Sequence, residues 1–492
     1  MVTAQIEKEL LADVYINRNK TITHATFESS IFHGYQNLLI GQPALSSIDI
    51  TSRIYGFCGG AHQQAAVMAL EHLSGSVVPP NAHILRSIIH AAEIVQNSIK
   101  WFYTSFAPDL AHPSFKSFEL YQAAQERFQV FKGTSFRQGL VGATYPISLY
   151  SAVAGRWPHA EFVVPGGVNA EINPSDIDRW REIIQDFKYK WIEPVLLNGS
   201  IEELLEIDSW QQMISWVEES DQHKEGDLGL FLRTGLEYGL DGLGGGKNPF
   251  LSFGAFWNEQ SKLGIDPINH HKSVKLQSGI LAKAKYLNVK PADFIDYLDN
   301  NKVGLNEEVL SQMTAYEVGS LSRMLMLGRS SKKKHVLNNQ NLIKDTYEQK
   351  GSSVFLRAFA RLYEIVVLSN FIEKRIDELD VKGVLHTPTA LKDGIGIGMT
   401  EAPRGSLAHL VELKEGMICR YQILAPTIAN INVGANYKRS SALGKALIGL
   451  TIKDLEHPIE VGLIARSFDS CLRCTINFKK SISKNQISQV VV

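Results

Sequence analysis

The sequence predicts a mainly helical chain with small β elements, an α+β fold. Three observations carry this. Long segments repeat their apolar residues at helical spacing, alternation of strand type is confined to a stretch near the N-terminus and to short runs elsewhere, and no repeat, linker or low-complexity tract divides the 492 residues. One large interwoven unit over residues 1–492 is therefore expected rather than separable domains.

Taken in order, residues 5–31 alternate weakly around a turn-like 17–20 and predict a hairpin. Residues 61–73, rich in Ala, Gln, Met and Leu, predict a helix. A second helix is predicted over 83–102, where Ile84, Ile88, Ile89, Ala92, Val95 and Ile99 share a face behind the prolines at 79 and 80. Residues 155–168 read as a Pro- and Gly-punctuated turn with a short strand inside. Helical periodicity returns over 175–218, at Ile177, Trp180, Ile183, Ile184 and Phe187. Residues 257–345 are a polar mixture that predicts little, and 348–379 predicts one long helix with Phe355, Phe359, Leu362, Ile365, Val366 and Ile372 on its buried stripe.

Composition excludes several classes of function. With 44% hydrophobic and 21% charged residues and a formal net charge of -1, the chain offers no electrostatic reason to bind nucleic acid or an anionic membrane. The polar N-terminus lacks the pattern of a signal peptide, and no apolar run is long enough to span a bilayer, so a soluble protein is expected. Four cysteines do not make a disulfide scaffold and fit a reducing compartment. Gly244-Gly245-Gly246-Lys247 is followed by Asn248-Pro249 rather than by Ser or Thr entering a helix, which rules out a phosphate-binding loop.

Chemistry concentrates at the two ends. Arg53-Ile54-Tyr55-Gly56-Phe57-Cys58-Gly59-Gly60-Ala61-His62 and Asp469-Ser470-Cys471-Leu472-Arg473-Cys474 hold three of the four cysteines. Cys471 and Cys474 can hold one soft metal, with Cys58 as a third thiolate, although a Cys-x-x-Cys pair also fits a redox dithiol. Cys58 falls at the mouth of the predicted 61–73 helix, where free backbone N–H groups favour a thiolate. The fourth cysteine, Cys419, reads as a buried structural residue.

These segments resemble the large subunit of nickel-iron hydrogenases, which carry Arg-x-Cys-Gly-x-Cys-x-x-x-His near one end and Asp-Pro-Cys-x-x-Cys-x-x-His near the other. Glu401-Ala402-Pro403-Arg404-Gly405-Ser406-Leu407-Ala408-His409 is the most intact further match. Tyr421 to Thr427, Gly155 to Val168 and Glu7 also fall on family segments. The resemblance implies a large helical core and a nickel-iron centre, with cyanide and carbon monoxide on the iron and a magnesium ion nearby. Metal ligands would be Cys58, Cys471 and Cys474. Pro403, Arg404, Leu407 and Thr427 would surround the iron group. Arg404, Glu7, Asp109, Asp469 and His62 would serve the reaction, with Glu7 relaying protons. It further implies electron transfer to an iron–sulfur small subunit, loading by maturation proteins and a precursor-type tail at 478–492; the cysteine usage and the polar N-terminus, read by themselves, point to a cytoplasmic location with any membrane contact made through a partner.

Two departures decide how far this carries. Tyr55 replaces a terminal nickel cysteine, and a phenol with a pKa near 10 is a poor nickel ligand. Asn477 replaces the terminal histidine. Three functions stay open: a hydrogenase oxidising or producing dihydrogen with an altered nickel sphere, a scaffold or carrier for the iron-cyanide-carbonyl group during maturation, and a silent structural or regulatory subunit.

Overall fold

The computed structural model describes residues 9–29, 35–54, 56–246, 248–256, 279–282, 285–287, 316–328, 341–431, 441–470, 473–480 and 486–491. The expected hairpin is present as strands β1 (Glu9–Ile16) and β2 (Ile22–Ser29), antiparallel across a turn at 17–20. The Asn17 carboxamide closes that turn by accepting the N–H of Asn19 (2.9 Å) and of Thr21 (3.0 Å). From the other end of the chain β11 (Arg473–Lys480) pairs parallel with β1, and β12 (Gln486–Val491) pairs antiparallel with β11. The sheet order is β12-β11-β1-β2, so the two termini of the chain close one sheet.

The helical core is built on α1 (Ser46–Ile54), α2 (Gly59–Ser74), α3 (Pro80–Lys100) and a later helix, Val354–Asp377. Pro80 opens α3 at a position whose N–H would have no helical partner, as the prolines predict. Helix α2 is buried around most of its circumference, which follows from its alanines: small side chains let neighbours approach on every side. Its closest neighbour is β8 (Gly394–Ala402). A Cβ at Gly398 would stand 1.9 Å from the carbonyl oxygen of Ala65, and one at Gly396 would stand 2.1 Å from that of Ala69. Gly396 and Gly398 leave room on β8 for α2 to lie against it.

Strands β8, β9 (Gly405–Lys414) and β10 (Met417–Leu424) form an antiparallel meander, and the pair Ala402↔Gly405 leaves Pro403 and Arg404 as a two-residue turn. Smaller pieces complete the β content, including β3 (Val163–Val164) with β4 (Gly167–Val168), the short strand expected in 155–168, and a sheet of β5 (Phe250–Ser252), β6 (Gly279–Ala282) and β7 (Lys285–Leu287). Among the described residues one cluster of buried apolar side chains runs from the hairpin through the helices to the β8–β10 meander.

Two expectations fail. Residues 348–379 are not one helix: Leu342–Lys350 ends at Gly351, whose φ is +72°, and the Val354–Asp377 helix restarts behind Ser353, whose side chain accepts the N–H of Leu356. Cys419 is exposed rather than buried. The β9–β10 register shifts between Ile418 and Arg420, so Cys419 is the extra residue of a bulge; its thiol donates to the Glu412 carbonyl at 3.3 Å.

Candidate functional site

Cys58 is the N-cap residue of α2, 4% exposed, and its side chain makes no cap hydrogen bond. The expectation that free N–H groups face this thiol is corrected by a residue from α3. Glu93 accepts the N–H of Gly60 at 2.9 Å and of Ala61 at 2.8 Å, so its carboxylate takes the donors that would have faced a Cys58 thiolate. Burial raises the Glu93 carboxyl from 4.5 to about 7, against the pull of the two backbone N–H bonds and the Arg404 charge. One turn further along α3, the Asn97 carboxamide donates to the carbonyl of Phe57 at 2.9 Å.

His62, in the first turn of α2, is buried. Its Nδ1 lies 2.9 Å from Nε2 of His409 on β9, and Nδ1 of His409 lies 2.8 Å from the Tyr421 hydroxyl on β10. Burial lowers the pKa of both rings, that of His409 to about 3, and for His62 the neighbouring His409 adds to the effect. Both imidazoles are therefore neutral, and each can donate through one nitrogen and accept through the other along an unbroken chain.

The Pro403-Arg404 turn is held from below by Arg323, which sits in the Ser320–Gly328 helix and is fully buried. Its guanidinium donates twice to Glu364 (2.7 and 2.7 Å), to Glu401 (3.2 Å), to Ser320 (3.0 Å) and to the carbonyls of Ala402 (3.1 Å) and Pro403 (3.1 Å). Glu401 in turn accepts the N–H of Phe253 at 2.8 Å and the hydroxyl of Ser406 at 2.7 Å. Arg404 itself points to the C-terminal segment: its Nε lies 3.3 Å from Oδ1 of Asp469. Asp469 takes φ +51°, a left-handed conformation that an aspartate tolerates at a turn. Burial raises its carboxyl and the charges of Arg404 and Arg361 oppose that rise. Arg361 donates to the Ser467 carbonyl at 2.8 Å and stacks over Trp101 at 4.3 Å. Leu407 is fully buried beside this turn, and Thr427 is buried at the start of the Pro426–Ile431 helix that follows β10.

The remaining candidates fall elsewhere. Asp109 pairs with Arg466 at 3.3 Å, and burial raises its carboxyl to about 6 against the pull of that arginine. Glu7, Tyr55 and Cys471 lie outside the described residues, and Cys474 is described as a β11 residue opposite Leu10. Asn477 donates to Asp13 at 3.1 Å, and Lys479 forms an ion pair with the same carboxylate. Among the described residues no group of three His, Cys, Asp or Glu side chains could hold a metal. Glu93 and Arg323 were missed from sequence. Each had a signal, a lone charge inside an apolar helical run: Ile88-Ile89-His90-Ala91-Ala92-Glu93-Ile94-Val95 and Leu321-Ser322-Arg323-Met324-Leu325.

Residues 33–117 and 311–477, which carry the Cys58 loop, the Arg404 turn and the C-terminal cysteines, match the family model for nickel-dependent hydrogenase. The chain belongs to that family. It is 24% identical over 509 residues to the periplasmic [NiFeSe] hydrogenase large subunit of Desulfomicrobium baculatum, covering 96% of this chain and 93% of that one. It is also 24% identical over 566 residues to the hydrogenase-1 large chain of Escherichia coli, with the same coverage. In fold it matches the reduced Ni-Fe-Se hydrogenase of D. vulgaris Hildenborough with a TM-score of 0.70 at 22% identity, over 94% of this chain and 98% of that one. The mainly helical α+β architecture expected from sequence is thus that of nickel-iron hydrogenase large subunits, and a nickel-iron centre is what the family implies. Among the described residues no helix is long and apolar enough to cross a membrane.

Proposed function

We propose that this chain acts as a hydrogenase large subunit, holding a nickel-iron group through Cys58, Cys471 and Cys474 with Tyr55 at the fourth ligand position. When bound, the group would supply the redox and Lewis-acid chemistry for oxidising or producing dihydrogen. The observation that carries the reading is the 3.3 Å contact of Arg404 with Asp469. It joins the Pro-Arg-Gly turn to the residue two before Cys471, while Glu93, bonded to the α2 turn after Cys58, lies in the field of the same guanidinium. Three motifs distant in sequence thus share one buried electrostatic unit.

The chain's own residues have distinct tasks. Arg404 and Thr427 would donate hydrogen bonds to cyanides on the iron, Pro403 shapes the turn, and buried Leu407 would line the apolar side facing carbon monoxide. Asp469 orients the Arg404 fork. Asp109, raised to about 6, can take and release a proton at Oδ2 near neutral pH, and Glu7 is the relay proposed on the N-terminal side. The neutral His62–His409–Tyr421 chain ties the first turn of α2 to β9 and β10. A magnesium ion at the Asn477 end would be held by the buried Oδ1 of that carboxamide, beside an Asp13 carboxylate that already pairs with Lys479.

The partner we propose is an iron–sulfur small subunit in a reducing cytoplasmic compartment, where the exposed Cys419 thiol persists, with maturation proteins loading the metals. The test is hydrogen-dependent dye reduction by the purified chain with its natural partner. Turnover lost in R404A tests the assignment directly. An inactive wild-type preparation with a full complement of metals would overturn it.

A further inference from the structure

The Cys58 turn is gripped from both sides by one face of α3. Glu93 takes the Gly60 and Ala61 N–H groups, and Asn97, one helical turn along, donates to the Phe57 carbonyl. Residues 57, 60 and 61 bracket Cys58, so its backbone is fixed by side chains that are not themselves thiolates. The sequence is fitted to this grip. A Cβ on Gly60 would stand 2.9 Å from Oε1 of Glu93 and 2.9 Å from the Tyr150 hydroxyl, and one on Gly59 would stand 2.5 Å from the Ser52 carbonyl oxygen. Glu93 is 2% exposed, and burying an acid inside an apolar helix face is costly unless its bonds repay it. Two donors converge on it, both helix N-terminal amides whose dipole favours a carboxylate.

We infer that Glu93 is the positioning residue of the Cys58 half of the site, locking the turn onto α3 before and independently of any metal. It acts through Gly60 and Ala61. The inference rests on the reading of Cys58 as a site residue only for its functional meaning; the lock itself is a statement about the protein.

Hydrogen–deuterium exchange on the full chain tests it, read over peptides covering 56–64 with the Val354–Asp377 helix as internal reference. E93A should speed exchange at Gly60 and Ala61 by about ten-fold or more, because both amides lose their acceptor. E93Q keeps one acceptor oxygen in the same place and should recover part of the protection. G60A, which pushes the carboxylate away, should reproduce the E93A pattern and carries the test if E93A does not fold. Unchanged exchange over 56–64 in E93A and G60A, or E93Q as fast as E93A, overturns the inference. The measurement needs no metal, so a chain that binds none still tests the lock, and a failed lock leaves the metal reading standing on its own evidence.

Discussion

Replacing Arg323 by methionine should be among the most damaging single changes in this protein. The guanidinium is fully buried and lies between two buried carboxylates, Glu364 and Glu401, while also meeting the Ala402 and Pro403 carbonyls. Burial alone would depress its pKa, but the two carboxylates more than offset this and hold it above its ordinary value. Methionine fills similar volume and carries none of the donors, leaving two carboxylates and two carbonyls to be satisfied in a dry site. Breaking a buried pair from one side costs about 3–5 kcal/mol, and urea midpoints of R323M against wild type should show a loss of that order. Adding E364Q and E401Q should return part of it, because the orphaned charges are then gone. Exchange over residues 401–406 should rise in R323M, since the same side chain holds the Arg404 turn. A loss below about 1 kcal/mol would refute the reasoning, because it would mean the pair contributes no more than a surface ion pair.

Other outcomes follow from the same contacts. The folded chain keeps the Asp109 proton to about 6 while the unfolded chain releases it near 3.8. Stability should therefore fall as pH rises from about 4 to about 6, with Asp109 contributing up to about 3 kcal/mol, and D109N should make that slope shallower in thermal melts compared across the window, leaving the part that Glu93 contributes. Gly398→Ala drives a methyl into the Ala65 carbonyl at 1.9 Å and should cost about 3 kcal/mol or more, seen as a lowered melting temperature. H409L takes a hydrogen bond from both His62 and Tyr421 and should cost about 2–4 kcal/mol by denaturation, against about 1 kcal/mol for Y421F, which removes only the far end of the chain.

Much of the fold was legible where a local rule sufficed. The hairpin at 9–29, α2 and α3 follow from alternation, alanine content and apolar spacing, and the structure keeps them with ends shifted by a few residues. The break at Gly351 was legible in principle, since Gly351-Ser352-Ser353 carries both a left-handed stop and a cap, but the continuous apolar stripe on either side masks it. Cys419 could not be placed because a bulge turns a strand residue outward without marking the sequence. Of the site, the motifs gave Cys58, His62, Arg404 and Asp469 as neighbours in function, and the contact between Arg404 and Asp469 is one that spacing alone cannot supply. Glu93 and Arg323 stand out in the sequence as lone charges in apolar runs, but their partners are tertiary: those of Glu93 follow only once α3 is known to pass beneath the Cys58 turn. Asp109 was singled out because it falls on a family position, and its pairing with Arg466 is a tertiary contact that the sequence does not supply.

The account's central claim is that Cys58, Cys471 and Cys474 hold a nickel-iron group despite Tyr55. Metal analysis combined with infrared spectroscopy of the chain purified with its natural partner tests it most directly. The account predicts iron and nickel each near one per chain, with cyanide and carbonyl stretches that disappear when Cys58 is changed to serine. Iron with those stretches but without nickel would contradict it and make the chain a carrier of the iron group; absence of both metals would leave a subunit that keeps the pocket without its contents.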